Sequence, residues 1–169
     1  MHEQGVWGCR CHQVFIDLKA SQGSKNERKR SAETRILADY IRDLASDSEE
    51  DQDVVVLGDF NHTYGAPACK VFTTEDLVQY AYPTGDRKPV PTIVWFDEPI
   101  DHIALTKGIR DEVVADSLRV HNQLVDWSLQ GAALTASKAA WRTVYSDHFP
   151  VTLDLQSSRD LDPNARFAA

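Results

Sequence analysis

Three short segments carry side chains that could do acid–base or phosphate chemistry. Gly58-Asp59-Phe60-Asn61 closes an apolar run. In an extended turn, residues 59 and 61 point the same way, so a carboxylate and a carboxamide converge. Ile100-Asp101-His102-Ile103 lies within an apolar stretch, and Ser146-Asp147-His148-Phe149 precedes another. Asp59, Asn61, Asp101, Asp147 and His148 together form a set rich in hard oxygen donors. Such a set suits Mg²⁺ or Mn²⁺ better than zinc. An imidazole beside carboxylates suits phosphoryl chemistry, in which a metal neutralises phosphate charge, a carboxylate directs water and the imidazole stabilises developing charge. Each segment alone also has a plainer reading. Asp-x-Asn commonly closes a turn through its own backbone, Asp101 suits an edge strand or a basic partner, and an Asp-His pair is a common surface feature. His102 falls on the opposite strand face from Asp101 and reads as structural.

The elements that must position these residues follow from hydrophobic period. Val14, Ile16 and Leu18 alternate in a strand over residues 12–19. Ala32, Ile36, Leu37, Tyr40, Ile41 and Leu44 form one apolar face of a helix over about 26–45. Val54-Val55-Val56-Leu57 is continuous, the pattern of a strand buried on both faces. Residues 66–72 read as a short helix with Pro67 in its first turn, and 74–80 as another. A Pro-rich loop is expected over 82–91, with strands at 92–95 and 100–106 joined by a tight turn at 96–99. Further expectations are a strand at 111–115, a helix over 123–141 and a strand over 149–155. The order is that of a layered α/β or α+β fold.

The chain has 169 residues, enough for one domain. With 18 Lys and Arg against 26 Asp and Glu, its net charge is −8, which disfavours broad coating of nucleic acid. It does not exclude one local phosphate site. No apolar stretch has the length of a membrane span, and Met1 to Arg10 lacks a signal-type apolar segment. The expectation is a cytoplasmic chain, unless a segment precedes it. Cys9, Cys11 and Cys69 form no regular disulfide framework, and Cys9-Arg10-Cys11-His12 lacks the spacing of a zinc knuckle.

Taken in order, Val54 to Asn61, Pro99 to Ile103 and Ser146 to Val151 resemble segments of the endonuclease/exonuclease/phosphatase superfamily, metal-dependent phosphoesterases related to pancreatic deoxyribonuclease. Leu18-Lys19-Ala20 and the Arg-rich helix after it add to the resemblance, which covers residues 12–155. It implies a phosphate ester, with nucleic acid among the candidates, attacked by water with Mg²⁺ or Mn²⁺. It implies Asp59 orienting or deprotonating the water, Asn61 holding water and a phosphate oxygen, His148 on the scissile phosphate and Asp101 orienting His148. Asp147 is implied on the metal side, with Asp59 as a further metal ligand. Two departures stand out. Asp17 occupies a position where the family usually has His, and a carboxylate repels phosphate. The family's early strands, one with an Asn ligand and one ending in a Glu ligand, have no counterpart before Val14. The resemblance therefore implies the C-terminal half of a four-layer α-β-β-α sandwich over 1–156, its sheet mixed or mainly antiparallel with flanking helices, followed by a polar tail over 157–169. A half-sandwich leaves a sheet face for self-association or for a partner supplying the other half. The rival reading is a non-catalytic remnant or interaction module of the same fold.

Overall fold

The computed structural model describes residues 11–47, 52–75, 77–80 and 90–156. Cys9, Trp7, the tail over 157–169 and most of the expected loop over 82–91 lie outside these. Among the described residues ten elements follow one another: β1 (His12–Asp17), α1 (Ser24–Ser46), β2 (Val54–Asp59), α2 (Pro67–Thr74), β3 (Val78–Tyr80), β4 (Asp101–Leu105), α3 (Lys107–Arg110), β5 (Arg119–Val120), α4 (Gly131–Val144) and β6 (Val151–Thr152). Four strands make one mixed sheet in the order β1-β2-β4-β3, and β5 pairs with β6. β1 runs parallel to β2, as the intervening helix requires, whereas β4 is antiparallel to both β2 and β3.

β2 reads as a continuous apolar run because both its faces are covered. Val54 and Val56 pack with Leu18, Ile41, Phe60 and Phe72 beneath α1 and α2. Val55 turns the other way, toward Ile103, Leu105, Ile109 and Leu118. A third cluster joins Val94, Val125, Trp141 and Phe149, so α4 is tied directly to the segment that carries His148.

Several expectations need correction. The buried side of α1 is rotated from the apolar face expected. Arg30, Thr34, Ala38 and Ile41 are buried, while Ile36 and Tyr40 are exposed. The cause is polar: Arg30 Nη1 donates to the carbonyls of Lys19 (2.7 Å) and Ser21 (2.9 Å), and Thr34 Oγ1 donates to Arg30 O. A helix expected over 74–80 is instead the end of α2 and then β3, because pairing with β4 satisfies that backbone. Residues 92–95 form no hairpin with β4. Ile93 pairs with His148 in an antiparallel bridge, and the side chain of Thr92 takes over the role of a turn. The strand expected over 111–115 reduces to a bridge between Val113 and Leu155. α4 starts only at Gly131, after turns, and the strand over 149–155 is regular only at Val151–Thr152. Leu118 and partly buried Val151, Leu153 and Leu155 pack with Val55, Ile103 and Leu105 of the sheet, while Phe15 of β1 is 72% exposed.

Gly58 fixes how closely β1 and β2 approach. Its φ is +139°, and a Cβ there would lie 2.0 Å from the carbonyl oxygen of Ile16. Neither the conformation nor the contact tolerates a side chain. Gly58→Ala should therefore lower stability by at least about 2 kcal/mol, read as a reduced denaturation midpoint. An unchanged midpoint would show that the two strands can separate locally.

Candidate active site

The site lies at the end of the sheet where β2 meets β4. Asp59 is the last residue of β2 and pairs in register with Asp101, the first of β4. On its other side Asp59 is in register with Asp17, the last residue of β1. Three carboxyl residues thus occupy neighbouring positions on adjacent strands. Like charges so placed repel, and the groups around them offset that repulsion.

Asn61 secures Asp59. Its backbone N–H donates to Asp59 Oδ1 at 2.7 Å and its Nδ2 donates to Asp59 Oδ2 at 2.8 Å. The same Nδ2 reaches Leu18 O at 2.8 Å, which ties the turn to the end of β1. Asn61 has φ +49°, a left-handed conformation that Asn adopts more readily than most residues. The convergence expected of residues 59 and 61 is present, and it takes the form of an Asx-type turn. The turn reading and the site reading describe one geometry.

His148 bonds to Asp101. Its Nδ1 is 3.0 Å from both carboxylate oxygens, and its Nε2 is 3.9 Å from Asp59 Oδ2. The bond to Asp101 and the nearby negative charges of Asp59 and Asp147 hold its pKa above the ordinary histidine value, against the effect of burial. Burial raises Asp59 to about 6, with the charges of Asp101 and Asp17 adding to the effect while the Asn61 N–H and His148 oppose it. His148 Nδ1–H donates to Asp101, which leaves Nε2 on the side of Asp59.

The remaining candidates fall around this centre. Asp147 is half-buried beside His148, and its backbone carbonyl accepts from Val94 N–H at 2.9 Å. Asp17 is exposed, and among the described residues no ion pair with a basic side chain engages it. His102 is structural, as expected. It is 1% exposed, its Nε2 donates to His62 O at 2.7 Å, and burial pushes its pKa down to about 4. Thr92 was not identified from the sequence. Its Oγ1 accepts from the N–H groups of both Ile100 and Asp101 at 3.0 Å, so it sets where Asp101 begins β4. A lone threonine in an apolar segment was the only available signal.

Among the described residues no three His, Cys, Asp or Glu side chains converge as a metal site. Both oxygens of Asp59 are engaged by Asn61 and both of Asp101 face His148. Asp59 and Asp147 therefore do not complete a site for Mg²⁺ or Mn²⁺ by themselves.

A 3′-5′ exonuclease from Neisseria meningitidis aligns with 85% of this chain and 60% of its own, with a TM-score of 0.53 and 16% identity. The human Nocturnin catalytic domain with bound sulfate aligns over 83% of this chain and 46% of its own, with a TM-score of 0.47 and 19% identity. An endonuclease/exonuclease/phosphatase family protein from Bacteroides thetaiotaomicron gives 83%, 48%, 0.45 and 17%. The fold resembles that of the Neisseria meningitidis 3′-5′ exonuclease. At these identities the likeness is one of fold. The chain spans about half to three-fifths of the length of the structures it matches. No protein-family model and no curated protein matches the sequence.

The raised pKa of Asp59 gives a signed stability prediction. A carboxyl with a folded pKa of about 6 against an ordinary 3.8 binds more protons folded than unfolded between those values. Its contribution is complete below about pH 4 and is lost as pH rises through 6. Asp59→Asn should therefore gain in Tm relative to the parent chain as pH rises from 4 to 7, by the equivalent of about 1–2 kcal/mol. Parallel Tm curves for the two proteins would contradict the assignment.

Proposed function

We propose that the chain carries part of a phosphoesterase site in which water attacks a phosphate ester and His148 and Asp59 handle the protons. The observation that supports it most is the position of His148, bonded to Asp101 at 3.0 Å and facing Asp59 at 3.9 Å. A carboxylate with pKa about 6 is basic enough to take a proton from an attacking water near neutrality. An imidazole held above its ordinary pKa is available there as a donor to a phosphate oxygen. Asn61 orients Asp59, Asp101 orients His148, and Thr92 positions the backbone of Asp101.

The substrate class in this reading is a phosphodiester or phosphomonoester, with nucleic acid among the candidates. Among the described residues no three His, Cys, Asp or Glu side chains form a metal site, and the proton chemistry proposed is that of Asp59 and His148 alone. Among the described residues no helix is long and apolar enough to cross a membrane, so membrane insertion by these helices has no part in the reading.

One observation favours a second reading, a non-catalytic remnant or interaction module of the same fold. Asp17 stands in register beside Asp59 and adds negative charge where a phosphate would approach. Hydrolysis of bis(p-nitrophenyl) phosphate by the chain with Mg²⁺ or Mn²⁺ separates the two. The catalytic reading expects turnover that falls by about 10² or more in Asp59→Ala and in His148→Ala. Turnover equal to the parent chain in either variant would overturn it. No turnover by the folded chain with either ion would establish the second reading.

A further inference from the structure

The sheet order β1-β2-β4-β3 leaves β1 at an edge. Its parallel ladder with β2 uses the even-numbered residues: His12 N–H donates to Asp53 O and Leu18 N–H to Asp59 O, each at 2.8 Å. The backbone groups of Gln13, Phe15 and Asp17 therefore turn outward. Among the described residues no strand pairs with them. All three residues are exposed, Phe15 most of all. Proteins commonly blunt such an edge with Pro, Lys or a bulge. β1 contains neither Pro nor Lys, and its register with β2 is unbroken.

The helix above extends this surface. Glu33 Oε2 accepts from Lys19 N–H at 2.9 Å, just beyond β1, whereas Arg42 pairs with Glu75 at the end of α2. One flank of α1 thus overhangs β1 and the other faces α2. Ile36 and Tyr40 lie about one and two turns on from Glu33, on the β1 flank. They are 71% and 49% exposed. The apolar stripe of α1 serves the core through Leu37, Ile41 and Leu44, and its remainder stands beside an open strand edge.

A second copy of the chain fits this edge. In antiparallel pairing about a two-fold axis at Phe15, Phe15 faces Phe15, Val14 faces Ile16 and Gln13 faces Asp17. The pairs are aromatic, apolar and amide–carboxylate, each favourable across strands. Sliding the register by two residues one way sets Asp17 opposite Asp17, and the other way sets Phe15 opposite Cys11. The sequence of β1 is therefore complementary to itself in one register, as a two-fold interface demands. That axis is perpendicular to the sheet, so both α1 helices lie on one face with Tyr40 and Ile36 turned toward the other copy. We propose that the chain forms a two-fold homodimer in which β1 continues the sheet into a second copy and the exposed flank of α1 completes the interface. Gln13 of the second copy then stands against Asp17 and adds an amide donor beside the row of Asp17, Asp59 and Asp101. The dimer is independent of the phosphoesterase reading.

Sedimentation equilibrium of the full chain over a range of concentrations tests it, together with amide hydrogen exchange. The expected mass rises toward twice that of the chain, and the outward amides of Gln13, Phe15 and Asp17 become protected as it does. Phe15→Pro removes an outward donor that β2 does not use, so it should spare the fold and weaken the dimer by about tenfold or more. Gln13→Glu sets like charges opposite Asp17 twice per dimer and should weaken it about fivefold, whereas Gln13→Lys should tighten it. Tyr40→Glu, at an exposed site, should weaken it as well. A thermal melt checks that each variant folds, and the Gln13 and Tyr40 variants carry the test should Phe15→Pro unfold. A monomer at every concentration would overturn the dimer. So would outward amides protected in a monomer, since the chain's own residues would then cover the edge. A dimer indifferent to Phe15→Pro would place the contact elsewhere, and equal effects of Gln13→Glu and Gln13→Lys would overturn the register.

Discussion

The site depends on one electrostatic constraint: Asp17, Asp59 and Asp101 stand side by side at the ends of three paired strands. In isolation the row is repulsive, and burial raises the penalty for ionising its middle member. Two groups relieve it. Asn61 donates twice to Asp59, and His148 donates to Asp101 while facing Asp59. The same arrangement that disfavours a simple structural role gives a weakened acid and a strengthened base within 4 Å of each other.

The scaffold holds this pair from two sides. The valines of β2 fix the sheet between two apolar layers, and Gly58 lets β1 and β2 close to backbone contact. His148 arrives from a different direction, through the bridge with Ile93 and the packing of Phe149 against Trp141. Thr92 links the two routes, because it bonds the start of β4 through its side chain and Phe149 N–H through its carbonyl. The imidazole and its carboxylate partner therefore share one support, although they are 47 residues apart.

What was legible in the sequence follows from this. Asp59, Asn61, Asp101 and His148 could be read because each follows or opens an apolar strand segment, and the structure brings all four together. β1, β2 and α2 announced themselves by period or by Pro67. The buried side of α1 did not, because Arg30 occupies a core-facing slot by satisfying loop carbonyls, which no hydrophobicity pattern reports. The elements at 74–80, 92–95 and 111–115 were misread for a related reason. Their form is set by partners far along the chain: β4 for the first, His148 for the second and Leu155 for the third. Thr92 was invisible because its task is to accept backbone hydrogen bonds.

The central claim is that Asp101 holds His148 as a charged-capable donor beside Asp59. An NMR pH titration of His148 in the full chain and in Asp101→Asn tests it most directly. The account predicts a His148 pKa above 6.5 in the parent chain and a clear fall in the variant, since Asp101 is the largest cause of the elevation. A pKa at or below 6.5 in the parent, or one unmoved by Asp101→Asn, would contradict it.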